Sequence, residues 1–311
     1  MSSVRVYAPA SVGNVAAGFD VLGAALAPLD GALWGDVVEV ASAPDGKDSF
    51  EAHGPHAARL PAEARDNLVL HARRLFAESA GGLPPVTIRL DKQLPLASGL
   101  GSSSSSVVAT LVALNTWRGR PLSDEELLAL AGAAESVYSG AAHLDNVAPA
   151  LYGGLQMVTA IGESRRLPFP EDLLFAVVHP DIELPTSVAR AALPKEIPLL
   201  TGVEYGQNLA SLVHALHTGD RTLIRQSLRD PLVEPHRAHL VKGFKRISRA
   251  AWEAGAWGCS FSGAGPALFA IAEGVDHAEA VLHAVCGAFA AEGFKSGGRV
   301  CRLDPQGARV V

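Results

Sequence analysis

The segment at residues 95–106, PLASGLGSSSSS, contains the residue types that bind phosphate groups. Glycine lets the backbone turn sharply and approach a ligand without a Cβ in the way. Serine hydroxyls donate hydrogen bonds to phosphate oxygens and supply oxygen ligands to Mg²⁺. The same composition also suits a flexible linker between domains. The elements on either side of the segment distinguish these two interpretations.

A strand pattern precedes this segment and a helix pattern follows it. Residues 86–95 alternate apolar and polar side chains, as in a strand with one buried face. Residues 107–114 carry apolar side chains at helical spacing, and Gly119 offers a helix C-terminus. The serines therefore open a helix, where the first backbone N–H groups lack internal partners and bind anions. This position favours a phosphate site, with a tight turn capped by serines as the alternative.

Composition excludes several classes of protein. The chain has 311 residues, of which 48% are hydrophobic and 19% charged, enough for sizeable cores. The formal net charge of −6 and the lack of a Lys/Arg run argue against nucleic-acid binding. Cys259, Cys286 and Cys301 form no CxxC pair, so neither a zinc site nor a disulfide framework is expected. With neither a signal-peptide pattern nor a membrane span in the sequence, we expect a soluble, cytoplasmic protein.

Periodicity along the chain predicts a mixed α+β protein with two domains. We expect strands at residues 4–7, 37–40, 86–95, 174–180, 259–272 and 299–303, and a loop followed by a strand at 145–158. Helices are expected after the serines and at 68–77, 123–138, 186–193, 208–218, 240–254 and 277–293. Ser123 and Glu126 match a capping box. The polar, proline-containing segment 163–174 separates the predicted domains, residues 1–165 and 166–311.

Three segments together resemble the motifs of the GHMP kinase superfamily. Residues 95–106 are similar to its phosphate loop, and residues 8–26, APASVGNVAAGFDVLGAAL, resemble its first motif. Residues 261–271, FSGAGPALFAI, resemble its third, glycine-rich motif. Within the superfamily, the N-x-x-x-GFD-x-LG-x-AL form and residues 143–154, HLDNVAPALYGG, are most similar to the homoserine kinases. The order and spacing of these segments cover nearly the whole chain.

The resemblance implies a fold, an activity and ligands. The fold would combine an N-terminal domain like ribosomal protein S5 domain 2, which binds ATP, with a ferredoxin-like C-terminal domain. The activity would be Mg²⁺-assisted transfer of the γ-phosphoryl group of ATP to the hydroxyl of L-homoserine. Dimers are common among similar proteins, so a homodimer is a further expectation. Two alternatives stay open: a GHMP kinase for a mevalonate-like substrate, and a nucleotide-binding regulator without catalysis.

The resemblance also assigns the nucleotide and metal residues. It implies that ATP is bound by Asn67, Pro95, Ser98, Gly99, Leu100, Gly101, Ser102, Ser103, Ser104 and Gly263. Glu135 lies in line with Leu128 and Ala131 on the apolar side of its helix, where a carboxylate is costly unless paired or metal-bound. The resemblance makes Glu135 a Mg²⁺ ligand together with a loop serine, for which Ser103 is the leading candidate. Ser105 and Ser106 are expected to belong to the helix and to tolerate alanine. As alternatives, Asn67 suits an N-cap and Gly263 a hairpin bend.

The acceptor residues follow from the same resemblance. Asp20, with Asn14 beside it, would bind the ammonium group of the substrate, and Asn146 would contact its hydroxyl. Arg190 and Arg237 would bind the carboxylate, because a planar guanidinium pairs with a carboxylate through two hydrogen bonds. Without the resemblance, Asp20 suits a local turn and each arginine a surface position. The implied catalytic residues are Asn146, Glu135, Ser103 and Thr186; for His143 we expect a structural or rim position.

Overall fold

The computed structural model describes residues 3–61, 63, 66–139 and 143–311. The strands are β1 (Val4–Pro9), β2 (Ser11–Gly13), β3 (Leu22–Pro28), β4 (Gly35–Ser42), β5 (Ser49–His53), β6 (Val86–Asp91), β7 (Leu155–Val158), β8 (Ser164–Leu167), β9 (Leu173–Pro180), β10 (Gly258–Phe261), β11 (Leu268–Glu273), β12 (Ser296–Leu303) and β13 (Arg309–Val310). The helices are α1 (Leu68–Ser79), α2 (Ser102–Trp117), α3 (Asp124–Ser139), α4 (Val147–Tyr152), α5 (Thr186–Ala191), α6 (Leu199–Thr218), α7 (Arg221–Ser227), α8 (Glu234–Arg237), α9 (Phe244–Glu253) and α10 (Val275–Ala291). Single 3-10 turns lie at Ala57–Arg59 and Ala238–Leu240.

The first sheet has the strand order β13-β1-β4-β6-β5 and packs against α1, α2 and α3. Its neighbouring strands are antiparallel except for β5 and β6, which are parallel. Helix α2 is the centre of this half, since thirteen of its sixteen residues are buried. A helix that is buried on all sides has no amphipathic stripe and must lie inside the core. The core packing therefore fixes the position of its serine-rich first turn.

The second sheet takes strands from both ends of the chain. Its order is β10-β11-β9-β12-β3-β7-β8, with β2 paired to β3. Helices α9 and α10 pack on one face, and α6 and α7 contribute to the core on the other. Six consecutive residues of β9 are buried, as expected for a strand covered on both faces. Because β12 pairs with β3, the N-terminal and C-terminal halves share one hydrogen-bonded sheet.

The mixed helix-and-sheet class predicted from the sequence is confirmed. The capping box is also present, since the N–H of Ser123 donates to Glu126 Oε2 at 2.7 Å and the N–H of Glu126 to Ser123 Oγ at 3.2 Å. None of the helices within the described ranges has the length and apolar character needed to cross a bilayer.

Several elements differ from the expected ones. Residues 259–272 form a hairpin of β10 and β11 instead of one strand, because the turn SGAGP interrupts the apolar pattern. The expected loop in 145–158 contains the short helix α4, and α7 and α8 were not predicted. The expected domain boundary at residue 165 falls inside β8, and the division at that point stays a prediction.

Candidate active site

One cavity of about 390 Å³ lies at the N-terminus of α2. It is lined by fifteen of the seventeen residues predicted for the site: Asn14, Asp20, Asn67, Ser98, Gly99, Gly101, Ser102, Ser103, Ser104, Glu135, Asn146, Thr186, Arg190, Arg237 and Gly263. The other two, Pro95 and Leu100, position the loop. The carbonyl of Pro95 accepts a hydrogen bond from Ser98 Oγ at 2.8 Å, and that of Leu100 accepts from the N–H of Ser11 at 3.1 Å.

The phosphate loop, residues 95–101, requires glycine at two positions. Gly99 has φ 85° and Gly101 has φ 63°, in the left-handed region that favours glycine. A Cβ added at Gly101 would lie 2.0 Å from Ser11 Oγ, and one at Gly99 would lie 2.4 Å from the carbonyl oxygen of Ser262. These contacts allow the backbone to wrap closely around the start of α2. The first N–H groups of α2 precede the intrahelical hydrogen bonds and so have no acceptor within the helix.

The two flanking motifs anchor this loop. Ser262 Oγ donates to the carbonyl of Gly99 at 2.6 Å, and the N–H of residue 267 donates to the carbonyl of Ser98 at 3.0 Å. The side chain of Asn14 donates to the carbonyl of Gly263 at 2.7 Å. The three sequence motifs therefore meet at one site, although Asn14 and Gly263 are 249 positions apart in the chain.

A buried ion pair beneath the loop was not predicted from the sequence. Lys92 Nζ pairs with the carboxylate of Asp36. It also donates to the carbonyl of Ser102 at 2.9 Å, to the hydroxyl of Ser102 at 2.7 Å and to Ser106 Oγ at 3.0 Å. The other oxygen of Asp36 accepts from the N–H groups of residues 93 and 94 at 2.9 and 3.0 Å. Burial lowers the pKa of Lys92, and the charge of Asp36 opposes this shift. The network ties the start of α2 to β4 and to the end of β6.

Ser105 and Ser106 belong to α2, as expected, but their hydroxyls also bind protein groups, so their tolerance of alanine stays a prediction. Ser105 Oγ accepts from the N–H of Asp36 at 2.8 Å and donates to the carbonyl of Ala8 at 2.7 Å. Ser106 Oγ donates to the carboxylate of Asp36 at 2.6 Å. Helical spacing places both hydroxyls on the buried side of α2, so they bind protein groups inside the core. The hydroxyl of Ser102 is likewise used within the protein, which leaves its backbone N–H for a ligand.

Ser103 is the serine whose side chain faces Glu135. Ser103 Oγ donates to Glu135 Oε2 at 2.9 Å, and both residues line the cavity. Burial raises the pKa of Glu135 to about 7, while the hydrogen bond from Ser103 and the charge of Lys92 oppose this shift. Hydroxyl and carboxylate oxygens are the ligands that Mg²⁺ takes in proteins. This oxygen pair at the mouth of a phosphate loop fits a magnesium ion.

Asp20 and Arg190 form an ion pair at the other end of the cavity. Arg190 Nη2 donates to Asp20 Oδ1 at 2.7 Å, Arg190 Nη1 donates to Oδ2 at 3.2 Å, and His143 Nδ1 lies 3.4 Å from Oδ1. Burial raises the pKa of Asp20, but hydrogen bonds and charge from His143 and Arg190 outweigh it and lower the value to about 2. Asp20 is therefore ionised and paired with Arg190, and His143 lies at its side.

Arg237 is almost completely buried, with 1% of its surface exposed. Its Nε donates to the carbonyl of Ala189 at 3.1 Å, and its Nη1 donates to the carbonyl of Gly263 at 3.0 Å. Burial and the charge of Arg190 lower the pKa of Arg237 to about 10, so it is still cationic at neutral pH. The predicted carboxylate ligand is thus also a structural link between α5 and the third motif.

Asn146 and Asp145 lie between the two ends of the cavity. Asn146 Oδ1 accepts a hydrogen bond from Ser11 Oγ at 2.9 Å, and its Nδ2 is 3.4 Å from Asp145 Oδ2. Burial and the charge of Asp20 raise the pKa of Asp145 to about 6. This part of the cavity wall therefore carries an amide and a carboxyl group that is ionised above about pH 6.

Asn67 and Thr186 also line the cavity. Asn67 Oδ1 caps α1 by accepting from the N–H of Val69 at 3.0 Å, which leaves its amide nitrogen for a ligand. Thr186 is exposed and begins α5, the helix that carries Arg190. Both residues line the cavity, and Asn67 is the N-cap of α1, as one of the two interpretations of this residue expected.

Comparisons with known proteins identify the family of this chain. A family model of the GHMP kinases N terminal domain matches residues 67–154, and one of the GHMP kinases C terminal matches residues 212–291. The crystal structure of homoserine kinase from Cytophaga hutchinsonii is 37% identical to this chain, with a TM-score of 0.93. The match covers 100% of this chain and 98% of that one.

More distant structures share the fold. L. major mevalonate kinase in complex with R-mevalonate is 19% identical with a TM-score of 0.71, covering 98% of this chain and 97% of that one. Mevalonate kinase from Methanococcus jannaschii is 15% identical with a TM-score of 0.68, and the match covers 97% of this chain and 98% of that one. The chain therefore belongs to the GHMP kinase family and is a kinase, a phosphotransferase. The resemblance found in the sequence and its two-domain fold are confirmed.

Proposed function

We propose that the protein is a homoserine kinase, which transfers the γ-phosphoryl group of ATP to the hydroxyl of L-homoserine. The observation that carries this proposal is the charge arrangement at the acceptor end of the cavity. An ionised carboxylate, Asp20, lies beside the two guanidinium groups of Arg190 and Arg237. An amino acid carries both charges that this arrangement complements, an ammonium and a carboxylate.

ATP would bind with its phosphates at the N-terminus of α2. The N–H groups of residues 102–104 would donate to the phosphate oxygens. These groups precede the first intrahelical hydrogen bond, which runs from the N–H of Ser105 to the carbonyl of Gly101. The purine would lie toward Asn67, whose amide nitrogen is available. Ser103 and Glu135 would hold Mg²⁺, which when bound offsets the negative charge of the phosphates.

The residues of the chain would act mainly by positioning and electrostatics, as is general for phosphoryl transfer. Asp20 and the arginines orient the acceptor, and Asn146 aligns its hydroxyl with the phosphate. Asp145, beside Asn146, offers a proton acceptor above about pH 6. The backbone of the loop is held rigidly by Ser262 and by the Lys92–Asp36 pair, so its donors need no rearrangement.

The competing acceptor is a mevalonate-like alcohol, which has a carboxylate but no ammonium. It would leave Asp20 facing an apolar part of the substrate. A coupled assay of ADP release with L-homoserine, R-mevalonate and D-galactose separates the candidates. We expect kcat/KM for L-homoserine to exceed the others by about 10²-fold or more, because a site with buried polar groups rejects acceptors that leave them unpaired. Faster turnover of R-mevalonate would reject the proposal, and no turnover of any acceptor would support a regulator.

A further inference from the structure

The ring of Phe19 contacts both arginines of the acceptor end. The Arg190 guanidinium carbon lies 5.4 Å from the ring centroid, and that of Arg237 lies 5.3 Å from it. Both distances are within the range in which the negative face of an aromatic ring attracts a cation. Phe19 precedes Asp20 in the chain, so one short segment supplies both the carboxylate and the ring.

The segment that carries Phe19 is held in a defined conformation. Asn14 and Asp20 have φ values of 59° and 56°, and Asn14 Oδ1 accepts a hydrogen bond from the N–H of Asp20 at 3.0 Å. Tyr205, on α6, donates its hydroxyl to the carbonyl of Phe19 at 3.3 Å. Left-handed backbone is costly outside glycine, and these two bonds stabilise the loop and its ring in that conformation.

The two guanidinium groups still have donors to offer. Arg190 Nε is buried and has no hydrogen-bond acceptor among the described residues. The bonds from Arg237 Nε and Nη1 leave its Nη2 without an acceptor in the described part of the chain. The charge of Arg190 lowers the pKa of Arg237, so the two cations repel each other, and a ring that attracts both offsets part of the repulsion. A carboxylate between them would accept the remaining N–H groups.

We propose that Phe19 is a positioning residue that holds Arg190 and Arg237 so that their free N–H groups converge on the carboxylate of the acceptor. This inference rests on the proposed function, in that the acceptor must carry a carboxylate. It makes Phe19 a determinant of specificity for amino-acid acceptors over amino alcohols. Its effect should then depend on whether the acceptor carries the carboxylate.

The test compares two acceptors in the wild type and in Phe19→Leu. L-Homoserine carries the carboxylate, and 3-aminopropan-1-ol is the same molecule without it. If 3-aminopropan-1-ol is phosphorylated, its KM is measured; if it is not, its Ki as a competitive inhibitor of L-homoserine is measured. Phe19→Leu keeps apolar bulk but removes the ring. We expect its KM for L-homoserine to rise about five- to thirtyfold, from two cation–π contacts, with little change in the KM for ATP. The KM or Ki for 3-aminopropan-1-ol should change less than about twofold.

Two further variants separate positioning from loosening of the loop. Phe19→Tyr keeps the ring and should restore most of the affinity for L-homoserine. Tyr205→Phe removes the bond to the Phe19 carbonyl without touching the ring, so any effect should be equal for both acceptors. An equal loss for both acceptors in Phe19→Leu, or a failure of Phe19→Tyr to restore affinity, would overturn the inference while leaving the proposed function intact. A wild type that phosphorylates only acceptors without a carboxylate would overturn both.

Discussion

Replacing Ser105 by alanine removes a hydroxyl that joins three segments under the phosphate loop. Ser105 is fully buried, and its Oγ accepts from the N–H of Asp36 at 2.8 Å and donates to the carbonyl of Ala8 at 2.7 Å. In Ser105→Ala the N–H and the carbonyl lose this partner in a region that water does not reach. The variant therefore tests whether the second half of the serine run holds the fold together.

The magnitude follows from these two bonds. A buried polar group without a partner costs about 1–3 kcal/mol, and two groups are affected. Alanine has the higher helix propensity, which returns about 0.5 kcal/mol. We expect the free energy of unfolding in urea to fall by about 1.5–5.5 kcal/mol, with kcat changed much less, because Ser105 is absent from the cavity wall.

Ser103→Ala is the matched control in the same helix turn. The Ser103 hydroxyl, which the variant removes, is bonded to Glu135 at the cavity. We therefore expect the free energy of unfolding to change by less than about 1 kcal/mol. Turnover in the coupled ADP assay should fall by a large factor. Equal stability of the two variants would refute the assignment of Ser105 to the core. Full activity of Ser103→Ala would refute the assignment of Ser103 to the phosphate and metal site.

Three further predictions concern charged residues. Glu135→Gln should raise the Mg²⁺ concentration needed for half-maximal turnover at least about tenfold, measured by titration with MgCl₂, because a charged oxygen ligand is lost. Arg190→Ala should raise the KM for L-homoserine about ten- to a hundredfold and the KM for ATP far less. Arg237→Ala should have the same effect on both KM values and should also lower the melting temperature, because two backbone carbonyls lose their donor. Burial and the charge of Asp230 raise the pKa of Glu234 to about 7 from 4.5, although a hydrogen bond from Ser260 opposes the shift. The folded protein thus holds a proton that the unfolded chain releases, and stability falls as the pH rises from 4.5 to 7. Glu234→Gln should remove this loss and stabilise the protein at pH 8 by about 2–3 kcal/mol in urea unfolding, with no gain at pH 4.

Each of these predictions has a contradicting outcome. An unchanged Mg²⁺ requirement in Glu135→Gln would remove Glu135 from the metal site. Equal rises in both KM values in Arg190→Ala would move this residue to the nucleotide. For Glu234, the exposed Glu279→Gln serves as control, and an equal gain at pH 8 in both variants would show that net charge and not burial is responsible.

The local parts of the site were predictable from the sequence. Gly99, Gly101 and the serines that follow them act through backbone geometry at a helix start, which depends on neighbours in the chain. The apolar periodicity of α2 and the alternation of β6 predicted these two elements, and the predicted bounds differ from the observed ones by a few residues. The capping box at Ser123 was found for the same reason.

The long-range parts were not predictable in this way. Asp36 and Lys92 are 56 positions apart, and each alone has the character of a surface charge at a strand end. The one sequence signal was the position of Lys92, directly between a buried strand and the phosphate loop. Arg190 and Arg237 were identified only through the resemblance to GHMP kinases, because their partners Asp20 and Gly263 are distant in the chain. Helices α7 and α8 are too short to give a clear period.

The most direct test of the proposed homoserine kinase activity is to identify the phosphorylated product. The protein is incubated with ATP, MgCl₂ and L-homoserine, and the reaction is followed by proton-coupled ³¹P NMR. Homoserine kinase activity predicts a phosphomonoester signal split by two methylene protons, as in O-phospho-L-homoserine, growing in step with ADP. Growth of ADP and inorganic phosphate without this ester, or an ester formed only when R-mevalonate replaces L-homoserine, would contradict it.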